Sequence, residues 1–234
     1  MPDWPDAVLF DFDGVLVNSE PLHLMALGRV AAEESLPLSE RQYYEELLGH
    51  DDRGLIAAWL AASGRQATPA EVLRLATRKK EIAESLIHEK RYEALPGVEA
   101  VVRGLWRNYP LAICSGALCA EIELMLDGIR LRDCFRVIVS AEDVNVGKPD
   151  PECYLRGVEL LASRYHRRLN PRNCLVFEDA PRVIDRLRPL GFCCVGITQP
   201  NLPASRFDNA DYVIDAVTPE EIKAKIKRLE LFEA

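Results

Sequence analysis

The stretch that decides the fold is Ala7-Val8-Leu9-Phe10-Asp11-Phe12-Asp13-Gly14-Val15-Leu16-Val17. Its first four residues form a continuous apolar run, which is typical of a strand buried on both faces of a parallel sheet. Asp11 then lies where the strand ends, and ligands of open α/β sheets bind outside the carboxyl ends of the strands. An Asp-Gly pair is also common turn chemistry. Buried carboxylates are costly unless they are paired or bind a metal, so the two aspartates point to a functional site.

The composition indicates a folded protein with an acidic surface. The chain has 234 residues, a formal net charge of −8 and 48% hydrophobic residues, which is enough for a buried core. The acidic balance argues against binding to nucleic acid or to an anionic membrane. The sequence opens without a basic region followed by an apolar segment, and no apolar run is long enough to span a bilayer. We therefore expect a cytoplasmic protein. We also expect it to be a monomer and its partner to be a small molecule.

The cysteines predict neither a zinc site nor a disulfide framework. There are seven of them: Cys114, Cys119, Cys134, Cys153, Cys174, Cys193 and Cys194. No pair has the two-residue spacer of a metal or redox motif, and an odd count in a long chain fits reduced thiols. Several lie in apolar runs, where cysteine behaves as a small buried hydrophobic residue.

The pattern of elements divides the chain into two parts. From Glu20 to Tyr92 the sequence has helical periodicity and capping patterns, without a convincing strand. Beyond Leu95-Pro96-Gly97, short apolar strands alternate with helices, which predicts a parallel sheet with right-handed crossovers. We predict an α/β, Rossmann-like core domain of residues 1–18 and 93–234, with a smaller four-helix domain of residues 19–92.

Polar residues follow several predicted strands at the ends that share one edge of the sheet. They are Asp11, Asp13, Ser115, Gly116, Lys148, Glu178 and Asp179. Clustered carboxylates repel one another unless a cation lies among them, and oxygen ligands favour a hard cation such as Mg²⁺. A carboxylate can be a covalent nucleophile, a Ser-Gly turn offers donors to a phosphate, and a lysine neutralises negative charge. The set therefore points to phosphoryl transfer.

These residues carry a resemblance to the haloacid dehalogenase-like (HAD) hydrolase superfamily. The first motif spans Asp11 to Ser19, and it is followed in the family's order by Ser115, by Gly147-Lys148-Pro149-Asp150-Pro151 and by Glu178-Asp179. The helical insertion after the first motif resembles the cap of β-phosphoglucomutase-like and phosphoglycolate phosphatase-like members. The resemblance covers nearly the whole chain and implies a parallel-sheet core with that cap.

The resemblance implies a role for each matching position. Asp11 matches the nucleophile that forms a phosphoaspartate, and Asp13 matches the general acid/base. Ser115 matches the phosphate-binding hydroxyl, and Lys148 matches the lysine that steadies Asp11 and the phosphoryl oxygens.

The resemblance also implies a Mg²⁺ site and cap residues that select the substrate. Asp179, Asp11 and the backbone carbonyl of Asp13 match the metal ligands, while Glu178 matches either a ligand or a carboxylate beside the ligands. His23 lies where β-phosphoglucomutase-like members carry a histidine that couples cap closure to the acid/base, although a plain helix-surface histidine is an equal alternative. Arg53 is a candidate for binding an anionic substrate. The simpler alternative is that it is an exposed charge at the start of a helix.

Two departures from the family pattern affect the expectations. Where the family usually has Ser after Glu-Asp and Gly three positions later, this chain has Ala180 and Val183, and Arg186 follows on the same helix. The surroundings of the metal loop are therefore expected to differ. In the mutases the phosphate-gripping arginine follows a glycine by three positions, whereas Arg53 follows Gly49 by four, which weakens the mutase assignment.

Three functions remain open from the sequence. The first is a Mg²⁺-dependent phosphatase for a small phosphorylated metabolite, such as a sugar phosphate. The second is a β-phosphoglucomutase-type phosphohexomutase, and the third is a non-catalytic binding module on the same fold. A dehalogenase fits less well, because a halide leaving group needs no proton from Asp13.

Overall fold

The computed structural model describes residues 4–47, 52–90, 92–200 and 202–231. The chain divides into two compact units, one of residues 1–18 and 93–234 and one of residues 19–92. We call the first the core unit and the second the helical unit.

The core unit is built on a parallel sheet. Its strands are β1 (Ala7–Phe10), β4 (Leu111–Cys114), β5 (Val137–Val139), β6 (Cys174–Glu178), β7 (Cys193–Ile197) and β8 (Tyr212–Ile214). The labels β2 and β3 belong to a separate short pair, which is described below. In the described part of the chain the order across the sheet is β5-β4-β1-β6-β7-β8, with every neighbouring pair parallel. The fully buried runs of β1, β4, β6 and β7 confirm the prediction of strands covered on both faces.

Helices alternate with these strands as the pattern predicts. They are α5 (Val98–Trp106), α6 (Cys119–Gly128), α7 (Glu152–Arg164), α8 (Pro181–Leu187) and α9 (Pro219–Lys225). Single 3₁₀ turns cover Arg132–Cys134, Ala141–Asp143, Pro171–Asn173, Arg188–Leu190 and Ala204–Arg206. Thr218 caps α9 by accepting a hydrogen bond from the backbone N–H of Glu221 at 3.2 Å. The α/β class and the parallel sheet are thus confirmed.

The two segments of the core unit that directly precede and follow residues 19–92 in the chain pair with each other. Strand β2 (Val17–Asn18) is antiparallel to β3 (Glu93–Ala94). This pair could not be predicted, because two residues are too few to show a period.

The helical unit contains α1 (Glu20–Glu33), α2 (Glu40–Gln42), α3 (Asp52–Ala62) and α4 (Pro69–His88). A π-helical segment, Tyr43–Leu47, continues α2. Ser39 and Thr68 cap α2 and α4 by accepting hydrogen bonds from backbone N–H groups three residues on, as their capping boxes predict. No strand interrupts the described residues of this unit. In the described part of the chain, none of the helices has the length and apolar content needed to cross a bilayer.

Candidate active site

The sheet itself positions the first two predicted residues. Asp11 directly follows β1, and its backbone N–H donates to the Phe177 carbonyl on β6 at 2.9 Å. Ser115 directly follows β4, and its N–H donates to the Val139 carbonyl on β5 at 2.9 Å. Both side chains are therefore held at the carboxyl edge of the parallel sheet by an extension of the strand ladder. Both residues are buried.

The loop before α7 delivers Lys148 to this edge. The Glu152 carboxylate, at the first residue of α7, accepts hydrogen bonds from the backbone N–H groups of Asn145 and Val146, each at 2.9 Å. Lys148 follows this anchored segment, and its Nζ donates to Asp11 Oδ1 at 2.7 Å and to Glu178 Oε2 at 2.9 Å. Lys148, which alone would be typical of a solvated loop, is thus a half-buried partner of two carboxylates.

The charge of Lys148 is stabilised by its surroundings. Burial acts to lower the pKa of Lys148, but the Asp11 and Glu178 carboxylates outweigh this effect and hold that pKa above its ordinary value. The ammonium therefore stays protonated and supplies a fixed positive charge beside Asp11.

Glu178 is held from several directions. Its Oε2 accepts hydrogen bonds from Lys148 and from the Tyr154 hydroxyl, the latter at 2.5 Å. Its Oε1 accepts from the backbone N–H of Ala180 at 3.0 Å. Because both oxygens already have protein partners, this carboxylate is well placed to orient Lys148 and the loop that follows β6.

Tyr154 is a site residue that the sequence analysis missed. It is fully buried on α7, and its hydroxyl both donates to Glu178 and lies 3.1 Å from Lys148 Nζ. Burial and then the Glu178 charge raise the pKa of Tyr154 well above its ordinary value, so the phenol stays protonated and acts as a donor. In the sequence this tyrosine is one apolar position of an amphipathic helix, which gave no sign of a polar role.

Three carboxylates form a potential cation site. One oxygen from each of Asp11, Glu178 and Asp179 lies within 4.8 Å of the others. Burial and then Glu178 raise the pKa of Asp11 to about 7, against a partial opposing effect of Lys148. Burial and then Asp11 raise the pKa of Asp179 well above its ordinary value. A divalent cation would relieve this repulsion, and the all-oxygen donor set fits Mg²⁺.

The backbone around Gly14 approaches this cluster closely. Gly14 has φ +73°, and a Cβ atom built on it would lie 2.2 Å from Asp179 Oδ2. Glycine is therefore required here both by the backbone conformation and by the space that Asp179 occupies. Asp13 precedes this turn and is half-buried, and its carboxylate is outside the three-carboxylate cluster.

Gln199 is the second residue that the sequence analysis missed. Its Nε2 donates to the Gly14 carbonyl at 2.8 Å and to Asp179 Oδ2 at 3.2 Å. A polar residue just beyond a strand is a weak signal on its own, and only the tertiary structure brings position 199 to the first motif.

The predicted phosphate-binding turn lies at the end of β4. Ser115 Oγ accepts a hydrogen bond from the backbone N–H of Ala117 at 3.0 Å, and Gly116 between them is exposed. Nothing lies within 4 Å of where a Cβ on Gly116 would be, so its backbone is accessible to a ligand.

The residues predicted to select the substrate belong to the helical unit. His23 is half-buried in the first turn of α1, and Arg53 is exposed in the first turn of α3. Gly49, from which the spacing of Arg53 is counted, lies outside the described residues. The structure thus brings together Asp11, Lys148, Glu178 and Asp179, and places His23 and Arg53 in the other unit.

The residues after Glu178-Asp179 that depart from the family pattern lie on α8 or directly before it. Val183 and Ile184 on α8 are buried among the residues of β6, β7 and α7, and Arg186 is exposed. Val183 therefore contributes apolar packing where the family pattern has glycine.

Comparison with known proteins identifies the family. The model of the haloacid dehalogenase-like hydrolase family matches residues 5–191. The chain belongs to this family. This HAD-like hydrolase is 31% identical over 190 residues to a phosphorylated carbohydrates phosphatase of Thermotoga maritima, and the match covers 80% of this chain and 82% of that protein.

Other HAD relatives include mutases. The chain is 28% identical over 196 residues to the β-phosphoglucomutase of Bacillus subtilis, covering 82% of this chain and 83% of that protein. The crystal structure of a β-phosphoglucomutase from Clostridium difficile superposes with a TM-score of 0.75 at 24% identity, covering 94% of this chain and 96% of that chain, and it shows the same fold. The expected superfamily and enzyme class are thus confirmed.

Proposed function

We propose that this HAD-like hydrolase is a Mg²⁺-dependent phosphatase that hydrolyses a small phosphorylated metabolite, such as a sugar phosphate, through a phosphoaspartate on Asp11. The observation that carries the proposal is the contact of Asp11 with Lys148 beside the Asp11, Glu178 and Asp179 carboxylates. A nucleophilic carboxylate, a fixed cation and an oxygen-ligand cluster are the groups that phosphoryl transfer needs. A relative named as a phosphatase of phosphorylated carbohydrates supports the substrate class.

In the first step, an ionised oxygen of Asp11 attacks phosphorus, and the bond between phosphorus and the leaving oxygen breaks. Asp13 donates its proton to that leaving oxygen. Lys148 neutralises charge on Asp11 and on the phosphoryl oxygens, which lowers the repulsion between two anions as they approach.

In the second step, Asp13 is a carboxylate and acts as the base. It takes a proton from a water molecule as that water attacks phosphorus, and the bond from phosphorus to the Asp11 oxygen breaks. Inorganic phosphate leaves, and both aspartates return to their starting protonation states. A single residue therefore serves as acid and then as base, which general acid–base catalysis permits.

The proposed metal ligands are Asp11, Asp179 and the backbone carbonyl of Asp13. Mg²⁺ bound there would supply electrostatic stabilisation to the phosphoryl oxygens and would allow the buried carboxylates to ionise. Glu178 already accepts hydrogen bonds at both oxygens, so we assign it to holding Lys148 and the metal loop.

Each unit carries residues that we propose for substrate binding. Ser115 and Gly116 would donate to phosphate oxygens through a hydroxyl and an accessible backbone N–H. His23 and Arg53 are the proposed contributors from the helical unit to recognition of the rest of the substrate.

The test is hydrolysis of a panel of sugar phosphates by the wild type, Asp11→Asn and Asp13→Asn, each with Mg²⁺ or with EDTA. The wild type should release phosphate only with Mg²⁺, D11N should be inactive, and D13N should lose about 10²–10⁴-fold, the usual contribution of a general acid–base group. Sustained turnover by D11N would refute the proposal, and a wild type inactive across the panel would favour the binding module.

A phosphohexomutase is the second candidate, favoured by the similarity to the B. subtilis β-phosphoglucomutase. A coupled assay for isomerisation of β-glucose 1-phosphate separates the two. Released phosphate without isomerised sugar phosphate supports the phosphatase, whereas isomerisation that exceeds phosphate release supports the mutase.

A further inference from the structure

Gln199 links two loops that the proposed metal site depends on. Its side-chain amide spans from the Gly14 carbonyl, 185 positions away, to the Asp179 carboxylate, 20 positions away. Gly14 follows Asp13 in the first motif, and Asp179 follows β6. The amide thus connects the loops that carry two of the proposed metal ligands.

The two contacts require a group with two N–H donors. The Gly14 carbonyl and the Asp179 carboxylate are both acceptors, so the group between them must present two N–H donors. The NH₂ group of glutamine does this with one atom, at 2.8 Å and 3.2 Å. A glutamate in the same place would bring a second carboxylate against Asp179, and a methionine of similar size would donate nothing.

The backbone of Gln199 is held in place independently of these contacts. Its N–H donates to the Leu202 carbonyl at 3.1 Å, and the Leu202 N–H donates back to its carbonyl at 2.8 Å. The preceding residue, Thr198, donates its N–H to the Ile214 carbonyl at 3.0 Å, which continues the pairing of β7 with β8. The side chain therefore extends from an anchored position and is half-buried, so the freedom lost when it makes its contacts is that of its own rotamers and not of the backbone.

The contact also restricts the orientation of the Asp179 carboxylate. Gln199 donates to Oδ2, the oxygen that lies closest to the position a Cβ on Gly14 would take. The neighbouring Ala180 has no side-chain donor to offer. Binding one carboxylate oxygen in this way restricts rotation of the Asp179 side chain, whose carboxylate belongs to the three-carboxylate cluster.

We propose that Gln199 is a positioning residue of the metal site, which orients Asp179 and ties its loop to the first motif so that Mg²⁺ binds a pre-arranged carboxylate. This inference rests on the proposed function. Groups that hydrogen-bond to metal ligands typically change metal affinity by about 10–100-fold when they are removed.

The experiment compares Mg²⁺ binding by the wild type, Gln199→Met and Thr198→Val, using titration calorimetry with MgCl₂ on EDTA-treated protein. T198V is the matched control, because Thr198 Oγ1 donates to Asp215 at 2.8 Å and that hydroxyl contact lies outside the carboxylate cluster. Q199M should bind Mg²⁺ at least about 10-fold more weakly than the wild type. T198V should bind within about 2-fold of the wild type, since its contact is an exposed one.

Two further measurements separate positioning from a general structural role. The unfolding midpoint in EDTA reports whether Q199M folds, and Gln199→Ala is made in parallel so that the conclusion does not depend on one replacement. In turnover, the Mg²⁺ concentration for half-maximal rate should rise with the Kd, while kcat at saturating Mg²⁺ should stay within about 3-fold of the wild type, because the reacting groups are unchanged.

The outcomes distinguish this inference from the proposed function. A wild type that neither binds Mg²⁺ nor hydrolyses a phosphate ester overturns both. A wild type that binds Mg²⁺ and hydrolyses, together with Q199M and Q199A of unchanged Mg²⁺ affinity, overturns the role of Gln199 alone. Weaker Mg²⁺ binding in both variants, with T198V unaffected, supports it.

Discussion

Removal of the Lys148 charge should destabilise the metal-free protein by an amount that depends on pH. Its Nζ lies 2.7 Å from Asp11 and 2.9 Å from Glu178, and its side chain is only 15% exposed. Lys148→Met keeps most of the apolar stem and leaves two carboxylates without their cation. Breaking a buried pair in this way costs about 3–5 kcal/mol when the remaining charge stays ionised.

The pH dependence follows from the pKa of Asp11. That pKa is raised to about 7 in the folded protein from an ordinary value of 3.8, so the folded state keeps a proton that the unfolded chain has lost between these values. Stability contributed by this group therefore falls as pH rises from about 4 to 7 and is level above 7. Lys148 lowers the pKa of Asp11, so K148M moves it higher and extends the fall beyond pH 7.

The expected loss for K148M is thus about 1–2 kcal/mol at pH 6, where Asp11 is largely protonated in both proteins, and about 3–5 kcal/mol at pH 8.5. Urea unfolding in EDTA at the two pH values measures it. Lys80→Met is the control, because Lys80 is 46% exposed and its 3.8 Å pair with Glu84 should contribute less than about 0.5 kcal/mol at either pH. An equal loss for K148M at both pH values, or a loss no greater than that of K80M, would refute the reasoning.

Three further predictions concern the same site. Tyr154→Phe removes a buried donor to a charged group and should cost about 1.5–3 kcal/mol in urea unfolding, whereas the exposed Tyr165→Phe should cost almost nothing; equal stabilities of the two variants would contradict the role of the hydroxyl. Gly14→Ala places a Cβ 2.2 Å from Asp179 Oδ2 at a positive φ, and it should destabilise the protein by about 1–3 kcal/mol and weaken Mg²⁺ binding in calorimetry; a variant indistinguishable from wild type would show that the loop has room. Mg²⁺ must displace protons from Asp11 and from Asp179, whose pKa values are both raised, so calorimetric affinity should rise by at least about tenfold per pH unit from pH 5 to 7; a pH-independent affinity would count against these carboxylates as ligands.

Much of the fold could be predicted because its strands are buried on both faces. Apolar runs such as Leu111–Cys114 and Cys193–Ile197 coincide with β4 and β7. The pairing of β2 with β3 and the π-helical turn at Tyr43–Leu47 could not be predicted. The β2–β3 pair joins segments distant in the sequence, which local periodicity does not report.

Some residues of the candidate site could likewise be predicted from the sequence, and others could not. The proximity of Asp11 and Lys148 could be predicted from the sequence, because polar residues that follow parallel strands meet at one edge of the sheet. Tyr154 and Gln199 could not, since a tyrosine on an amphipathic helix is typical of the core and a glutamine after a strand is typical of a loop. Their roles depend on hydrogen bonds across 24 and 185 positions of sequence.

Asp11 is the centre of the account, and chemical trapping tests it most directly. The wild type is mixed with Mg²⁺ and a sugar phosphate that it hydrolyses, quenched in acid during turnover and digested, and the peptide that contains Asp11 is analysed by mass spectrometry. We predict that this peptide gains the mass of one phosphoryl group at Asp11, that hydroxylamine removes it, and that D11N and EDTA-treated protein show no gain. Turnover without phosphorylation of Asp11 under these conditions, or a phosphoryl group found on another residue, would contradict the account.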